Sequence, residues 1–449
     1  MKPPSPQHAQ AQPIQPRFVH PHIVKIEKPV FGGAFLARVE GSAVFVPLTL
    51  PGEQVRVRIT QDRGKRGYAI AEPEEIIIAA AERIAPACPH FGACGGCHYQ
   101  HAGYETQLAL KQAILRETLQ RGGVQPPNEI AVLAAGPWHY RNRIRLAFDA
   151  AGNPGYRGRR SHSVVAISEC PIAAPLLIEA TAAFAEVARQ FVPAFRPTEV
   201  ALFCDAAETA LLASVFTASP AKTRFEDLAH ALRERIPSLQ GAELVVEGRE
   251  GKQTQAQPFR TVAQWGATSL TYRVAGLDYR VGHGAFFQVN RWLVDALVEH
   301  VAAGHRGALA WDLFAGVGLF ARCLAASFAR VVAVESAPAA TQSLAANLEG
   351  TTGTAVRTAT LDFLRRSRGD VRPDLIVVDP PRAGLGPEIT ALFAAIAAPA
   401  LVYVSCDPAT LARDLRALLA SGYAIHSITL ADLFPHTFHL ETVVHLRRS

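Results

Sequence analysis

Residues 308–318 read Ala308-Leu-Ala-Trp-Asp312-Leu-Phe314-Ala-Gly316-Val-Gly318. A short apolar run that ends in an acid and a glycine turn predicts a strand delivering its carboxyl end to a ligand. The plan repeats downstream. Apolar runs at 330–335, 355–360, 374–379 and 400–405 each read as a strand. Between them lie Ala-rich helical stretches, at Leu319–Ala326, Ala337–Leu348, Glu388–Ala397 and Ala409–Ala420. Strands that are apolar throughout and alternate with helices indicate a parallel sheet covered on both faces. The fold class expected for residues 276–449 is therefore Rossmann-like α/β, with ligands at the carboxyl ends of the strands.

Several residues fall at that edge. Gly316 and Gly318 allow a ligand to approach the backbone closely. Glu335 ends the second strand, placed to accept both ribose hydroxyls of a nucleoside. GxG alone is weak, and Ala321 stands where a dinucleotide fingerprint takes Gly or Ala, so an NAD enzyme stays open on this motif. The fourth strand ends in Asp379-Pro-Pro-Arg382. Proline cannot continue a ladder, so the pair makes a stiff exit that presents the Asp379 carboxylate and Arg382 at the ligand face. The fifth ends in Ser405-Cys406-Asp407-Pro408, with Asp407 read as an N-cap and Pro408 as the first helical residue. Cys406 then sits beside a helix N-terminus, whose partial positive charge favours a thiolate. Near the C-terminus, alternation in the segment Asp432 to Thr442 places His439 and Glu441 on one face. Taken alone, such a glutamate is most often a surface residue.

Outward from this core, the 449 residues suit two or three domains. Hydrophobic residues make up 49% and charged residues 19%, enough for a buried core. The net charge of +6 suits a polyanionic partner only weakly. Residues 1–16 are rich in Pro and Gln and read as a disordered tail, neither signal nor anchor. No run is long enough to span a bilayer, and an odd count of 7 cysteines argues against a disulfide framework. A cytoplasmic location without membrane contact is expected.

Residues 17–83 read as a small β-barrel. Val55, Val57 and Ile59 alternate with Arg56 and Arg58, and Arg63, Lys65 and Arg66 follow in a turn, giving a basic face for a phosphate backbone. A plain barrel with a solvated basic face fits equally well. Residues 84–275 read as a central α+β region. It contains an expected helix, Tyr104 to Arg121, and a strand whose Arg141, Arg143 and Arg145 share one face, a pattern that favours RNA contact. At its start come Cys88, Cys94 and Cys97, with Cys170-Pro171 further on. Three close thiols and a distant Cys-Pro fit iron–sulfur ligation, while four thiolates also suit zinc. Cys204 and Cys323 read as core residues.

These pieces together resemble the uracil-C5 RNA methyltransferases, the group with an N-terminal TRAM domain and a 4Fe–4S cluster. The resemblance covers nearly the whole chain after the tail. Pro51-Gly-Glu53 and the basic strand look like TRAM, and Cys88, Cys94, Cys97 and Cys170 match the family's cluster ligands. Phe286-Phe-Gln288-Val-Asn290 is similar to the family's F-x-Q-x-N segment, which implies a cofactor contact by Gln288. It further implies cofactor contacts by Phe314, Gly316, Glu335 and Asp379, Cys406 as nucleophile and Glu441 as general base. The implied cofactors are S-adenosylmethionine and the cluster.

The implied reaction is 5-methyluridine formation, in 23S ribosomal RNA. The chemistry explains why it needs a thiol: carbon 5 of uracil is a weak nucleophile until a thiolate adds to carbon 6, and a base must then remove the carbon 5 proton. RNA is the expected partner, by a flipped or unpaired base, with no obligate protein partner. Transfer RNA as substrate, a cytosine-C5 enzyme and a non-catalytic RNA-binding or assembly factor are the competing readings. Two positions depart from the family. Leu319 stands where Asn is common, and Asp407 where Asn is usual; a carboxylate beside Cys406 should oppose its ionisation.

Overall fold

In the N-terminal region, alternation decides what is buried: Val55 and Val57 are inside while Arg56 and Arg58 are exposed. The computed structural model describes residues 21–191, 196–218, 224–247, 259–367 and 371–448. The tail expected over residues 1–16 lies outside these, as does the Lys65 side chain. The chain divides into two compact units, residues 1–83 and 84–449.

The first unit is a six-stranded sheet in the spatial order His22–Lys25, Gln54–Arg63, Tyr68–Ile78, Ser42–Pro47, Ala34–Val39, Lys28–Pro29. Val24, Phe35, Val44, Val46, Val55 and Val57 fill its core, each fully buried valine contributing roughly 1.5–3 kcal/mol. The Pro51-Gly-Glu53 turn has a structural purpose. Glu53 is fully buried and accepts from Arg83 through both oxygens, and from the Leu50 and Ala80 amides. Burial works to raise the Glu53 carboxyl, but Arg83 and the amides outweigh it and hold the group below its ordinary value. The expected basic face is largely paired within the sheet: Arg56 meets Glu75, and Arg58 meets Glu74 at 2.9 Å. Exposed pairs of this kind are worth about 1 kcal/mol or less.

In the second unit, an eight-stranded sheet runs in the order Gly353–Arg357, Phe328–Glu335, Gly307–Leu313, Leu375–Val378, Ala400–Ser405, Glu441–Arg448, Tyr423–Ala431, Ala131–Leu133. The first five are parallel, as expected from their continuous apolar runs. Two features differ from the sequence reading. The terminal strand Glu441–Arg448 inserts antiparallel between Ala400–Ser405 and Tyr423–Ala431. The run at 355–360 is strand only to Arg357, after which Thr360–Arg366 is a helix.

A seven-stranded sheet with helices Pro175–Gln190 and Phe225–Arg235 against it occupies the middle of the chain. The hairpin Ser269–Val274 and Leu277–Gly282 joins the two sheets. Leu270, Tyr272, Tyr279 and Val281 share one core with Phe203 on one side and with Val377 and Val402 on the other. Of the three arginines, Arg141 precedes the strand Arg143–Phe148, and Arg143 and Arg145 within it meet protein groups. Arg143 lies over the Phe203 ring at 4.1 Å and donates to the Ala285 carbonyl. Arg145 lies over Phe216 at 4.1 Å and pairs with Glu199. Alternation predicted the shared face of Arg143 and Arg145 correctly, but that face meets aromatic rings and a carboxylate. Among the described residues no helix is long and apolar enough to cross a membrane.

Candidate active site

At the carboxyl edge of the parallel strands lies a cavity of about 810 Å³. It is lined by Gln288, Phe314, Gly316, Glu335, Asp379, Cys406 and Glu441, so all seven catalytic and cofactor candidates read from the sequence meet in one place. Sheet register explains the closest juxtaposition. Ser405 pairs with Thr442 as the last pair of the antiparallel ladder, so Cys406 and Glu441 are the residues that flank that pair at the cavity.

The cofactor end is built from the first two strands. Phe314 takes a left-handed backbone (φ 63°), as do Gly316 (φ 56°) and Gly318 (φ 87°), so the chain turns sharply over the sheet edge. For a non-glycine residue this is a strained conformation of the kind that collects at ligand sites. Glu335 braces the turn: one oxygen accepts from the Gly316 amide at 3.0 Å, the other from the Ser336 and Ala337 amides at 2.7 Å each. Leu319, where a polar residue is common, is buried on the wall. Its carbonyl accepts from Tyr279 at 2.9 Å. The open space, the exposed backbone at 314–316 and the Glu335 carboxylate fit an adenosine-bearing cofactor.

The acids of the cavity crowd one another. Glu441 is buried, and its Oε1 has no hydrogen-bond partner among the described residues. Burial, then the neighbouring Asp379 carboxylate, push the Glu441 carboxyl well above its ordinary range, with Arg382 opposing. Burial likewise raises Asp379 to about 7. Asp312 was quoted in the opening motif but not picked as a site residue. It is fully buried and pushed up to about 8 by burial, while Oδ2 accepts from the Ala321 amide at 2.8 Å. Arg382 and His439 also line the cavity, with Arg382 Nη2 3.3 Å from His439 Nδ1.

The helix end was read as favouring a Cys406 thiolate and the Asp407 carboxylate as opposing one; in the structure the surroundings of the sulfur favour the thiol. Burial first, then the Glu441 and Asp379 carboxylates, push the thiol up to about 12. Asp407 caps the helix Pro408–Ala420 by accepting from the Ala409 and Thr410 amides at 3.0 and 2.9 Å. The helix N-terminus is thereby spent on Asp407, not on the sulfur.

The four candidate cluster ligands, Cys88, Cys94, Cys97 and Cys170, line a second cavity of about 270 Å³. Gly95 and Gly96 lie on its wall, and the Gly96 amide donates to Cys94 Sγ at 3.4 Å. Burial, countered by Gln100 and then reinforced by the other thiols, raises Cys97 to about 12. Among the described residues no three His, Cys, Asp or Glu groups are placed to hold one metal ion. Arg141 and His439 line both this cavity and the larger one.

A strand-end glycine turn and a parallel sheet with one antiparallel insertion, with a cavity at the strand ends, define the fold of a class I methyltransferase. A family model described as tRNA (Uracil-5-)-methyltransferase matches residues 103–449, and a TRAM domain model matches residues 23–73. The chain belongs to this family and is an S-adenosylmethionine-dependent uracil-C5 RNA methyltransferase.

The 23S rRNA (uracil(1939)-C(5))-methyltransferase RlmD of Alkalilimnicola ehrlichii is 34% identical over 447 residues, covering 93% of this chain and 94% of its own. RlmD of Pseudomonas entomophila is 34% identical over 433 residues, covering 93% and 92%. An RNA methyltransferase of Nitratidesulfovibrio vulgaris is 32% identical over 446 residues, covering 92% and 93%. Among solved structures, the Pyrococcus abyssi tRNA (uracil-54, C5)-methyltransferase in complex with S-adenosyl-L-homocysteine superposes with a TM-score of 0.76. It covers 95% of this chain and 99% of its own at 23% identity, which speaks to fold.

Proposed function

We infer that this enzyme forms 5-methyluridine in 23S ribosomal RNA, with Cys406 as nucleophile and Glu441 as general base. The observation that carries the reading is the meeting of Cys406 and Glu441, flanking the last ladder pair, in the cavity that also holds Asp379 and Glu335. The RlmD relatives, at 32–34% identity over nearly whole chains, support the ribosomal substrate.

When bound, S-adenosylmethionine supplies an electrophilic methyl group. Glu335 and the backbone at 314–316 would hold its nucleoside end, with Gln288 and Asp379 lining the same cavity. Cys406 must first lose its proton to solvent, against the effect of burial and of the Glu441 and Asp379 carboxylates. The sulfur then adds to carbon 6, the electron pair moves to carbon 5, and carbon 5 takes the methyl. Glu441 finally removes the carbon 5 proton, the carbon 5–carbon 6 double bond re-forms, and the sulfur leaves.

Residues 17–83 are assigned to gripping flanking RNA, residues 84–275 to a region that carries a 4Fe–4S cluster on Cys88, Cys94, Cys97 and Cys170, and residues 276–449 to catalysis. Nothing in the reaction moves electrons, so the cluster's role is structural. A ribosomal RNA substrate sets the work in the cytoplasm.

The test is a single-turnover reaction with methyl-labelled cofactor and unmodified 23S rRNA or transfer RNA, followed by mass mapping of the product. Label in 5-methyluridine of 23S rRNA with wild type, and none with Cys406→Ala, is expected. Label in transfer RNA alone would move the substrate, and label in neither would defeat the reading.

A further inference from the structure

The hairpin that carries Glu441 is fastened from a helix far away in sequence. Its strands pair Ala431 with Glu441, so residue 432 opens the connecting loop at the level of the carboxylate. Three residues on one face of helix Tyr104–Arg121 grip that loop. Lys111, fully buried, donates through Nζ to Asp432 Oδ1 at 2.6 Å and to the Phe434 carbonyl at 2.9 Å. The Tyr104 hydroxyl donates to Asp432 Oδ2 at 2.8 Å. Gln107 accepts from the His436 amide at 2.9 Å and meets His436 Nδ1 at 3.0 Å. From the other side, Asn290 donates to the Asp432 and Leu433 carbonyls at 3.4 and 3.2 Å. His436 itself has φ 65°, a conformation a non-glycine residue keeps only when its surroundings impose it.

A buried ion pair is seldom more stabilising than apolar side chains of the same volume, because both charges lose their water. Stability therefore does not account for a lysine at 0% exposure. What an ammonium adds is direction: one group bridges a carboxylate and a carbonyl two residues apart and fixes the loop's height. Lys111 does not line the catalytic cavity, whereas Phe434, His439 and Glu441, on or beside the loop it holds, all do.

We propose that Lys111, with Asp432 as its counter-ion, is a positioning residue for Glu441, aiming the carboxylate at the proton on carbon 5. The inference rests on Glu441 being the base. It follows that loss of the pair slows the step Glu441 performs and spares the earlier ones. Sulfur addition and methyl transfer still occur. Proton removal, with return of the electron pair to the carbon 5–carbon 6 bond and release of the sulfur, lags. Methylated RNA then stays joined to Cys406.

The experiment uses the full chain with methyl-labelled S-adenosylmethionine and a 23S rRNA fragment, resolved on denaturing gels. Wild type, Glu441→Gln, Cys406→Ala and the neutral double variant Lys111→Met/Asp432→Asn are compared. The double variant is expected to accumulate labelled protein–RNA adduct about tenfold over wild type and to release methylated RNA about tenfold more slowly, with KM for the cofactor within about twofold. Release at the wild-type rate overturns the proposal. So does loss of adduct formation in step with loss of turnover, which marks general damage. Tyr104→Phe removes one hydroxyl and no charge, and carries the same test if the double variant does not fold: adduct accumulation supports the proposal and its absence overturns it. If Glu441→Gln itself turns over normally, the assignment of the base fails, and this inference with it.

Discussion

Burial sets the chemistry of single residues here. The Cys406 thiol stands at about 12 and the Asp379 carboxyl at about 7, each displaced first of all by loss of water. Asp379 also raises the thiol through its charge. In Asp379→Asn the thiol should ionise more readily, so alkylation of Cys406 by iodoacetamide at pH 8 should run several-fold faster. Methyl transfer should fall in the same variant, and intact-mass kinetics beside a turnover assay check both.

Asp312 makes a second prediction, about stability. Its carboxyl rises from 3.8 to about 8 on folding. A raised carboxyl binds its proton more tightly in the folded state, so its contribution is full below about pH 4 and is lost as pH climbs through about 8. Thermal unfolding should show higher stability at pH 6 than at pH 8.5, by a few kcal/mol at most. Asp312→Asn should flatten that slope; an unchanged slope would mean that Asp312 is not its source. Cys406 and Asp379 were legible as strand-end residues, whereas Glu441 was singled out only through the resemblance of its segment to a known family. Their protonation was not legible, since it depends on carboxylates brought together from separate strands.

At the level of elements, turn and cap chemistry was the most readable signal. Helix Tyr104–Arg121 falls where the apolar spacing placed it, and Asp407 and Pro408 begin the helix Pro408–Ala420 as their residue types require. Asp407→Ala should lower stability by about 1 kcal/mol through loss of the cap. Asp407→Asn should leave it almost unchanged, and denaturant melts of the two variants compare them. The arginines at 141, 143 and 145 teach the complementary lesson. Period-two spacing put them on one face, but only packing shows that Phe203, Phe216 and Glu199 meet Arg143 and Arg145, while Arg141 precedes the strand and lines both cavities. The run at 355–360 was too short for its period to separate the end of a strand from the start of a helix.

Across the whole molecule, two cavities share Arg141 and His439, one bounded by four cysteines and the other by the reacting groups. The loop residues Thr437 and Phe438 border the cysteine cavity just ahead of Glu441. Cys170→Ser should therefore lower bound iron and sulfide and loosen residues 432–441. Elemental analysis and hydrogen exchange read these separately, and intact protection of that loop in a metal-free variant would count against the link. The sequence by itself determined the parallel sheet and the ligand edge, because periodicity, glycine turns and proline exits act locally. Only the tertiary structure decided that the last strand runs back antiparallel beside the fifth, which sets Glu441 against Cys406, and that a buried lysine from a helix some 320 residues earlier holds the loop between them. Such contacts join residues whose spacing along the chain carries no signal, so they exist only once the cores have packed.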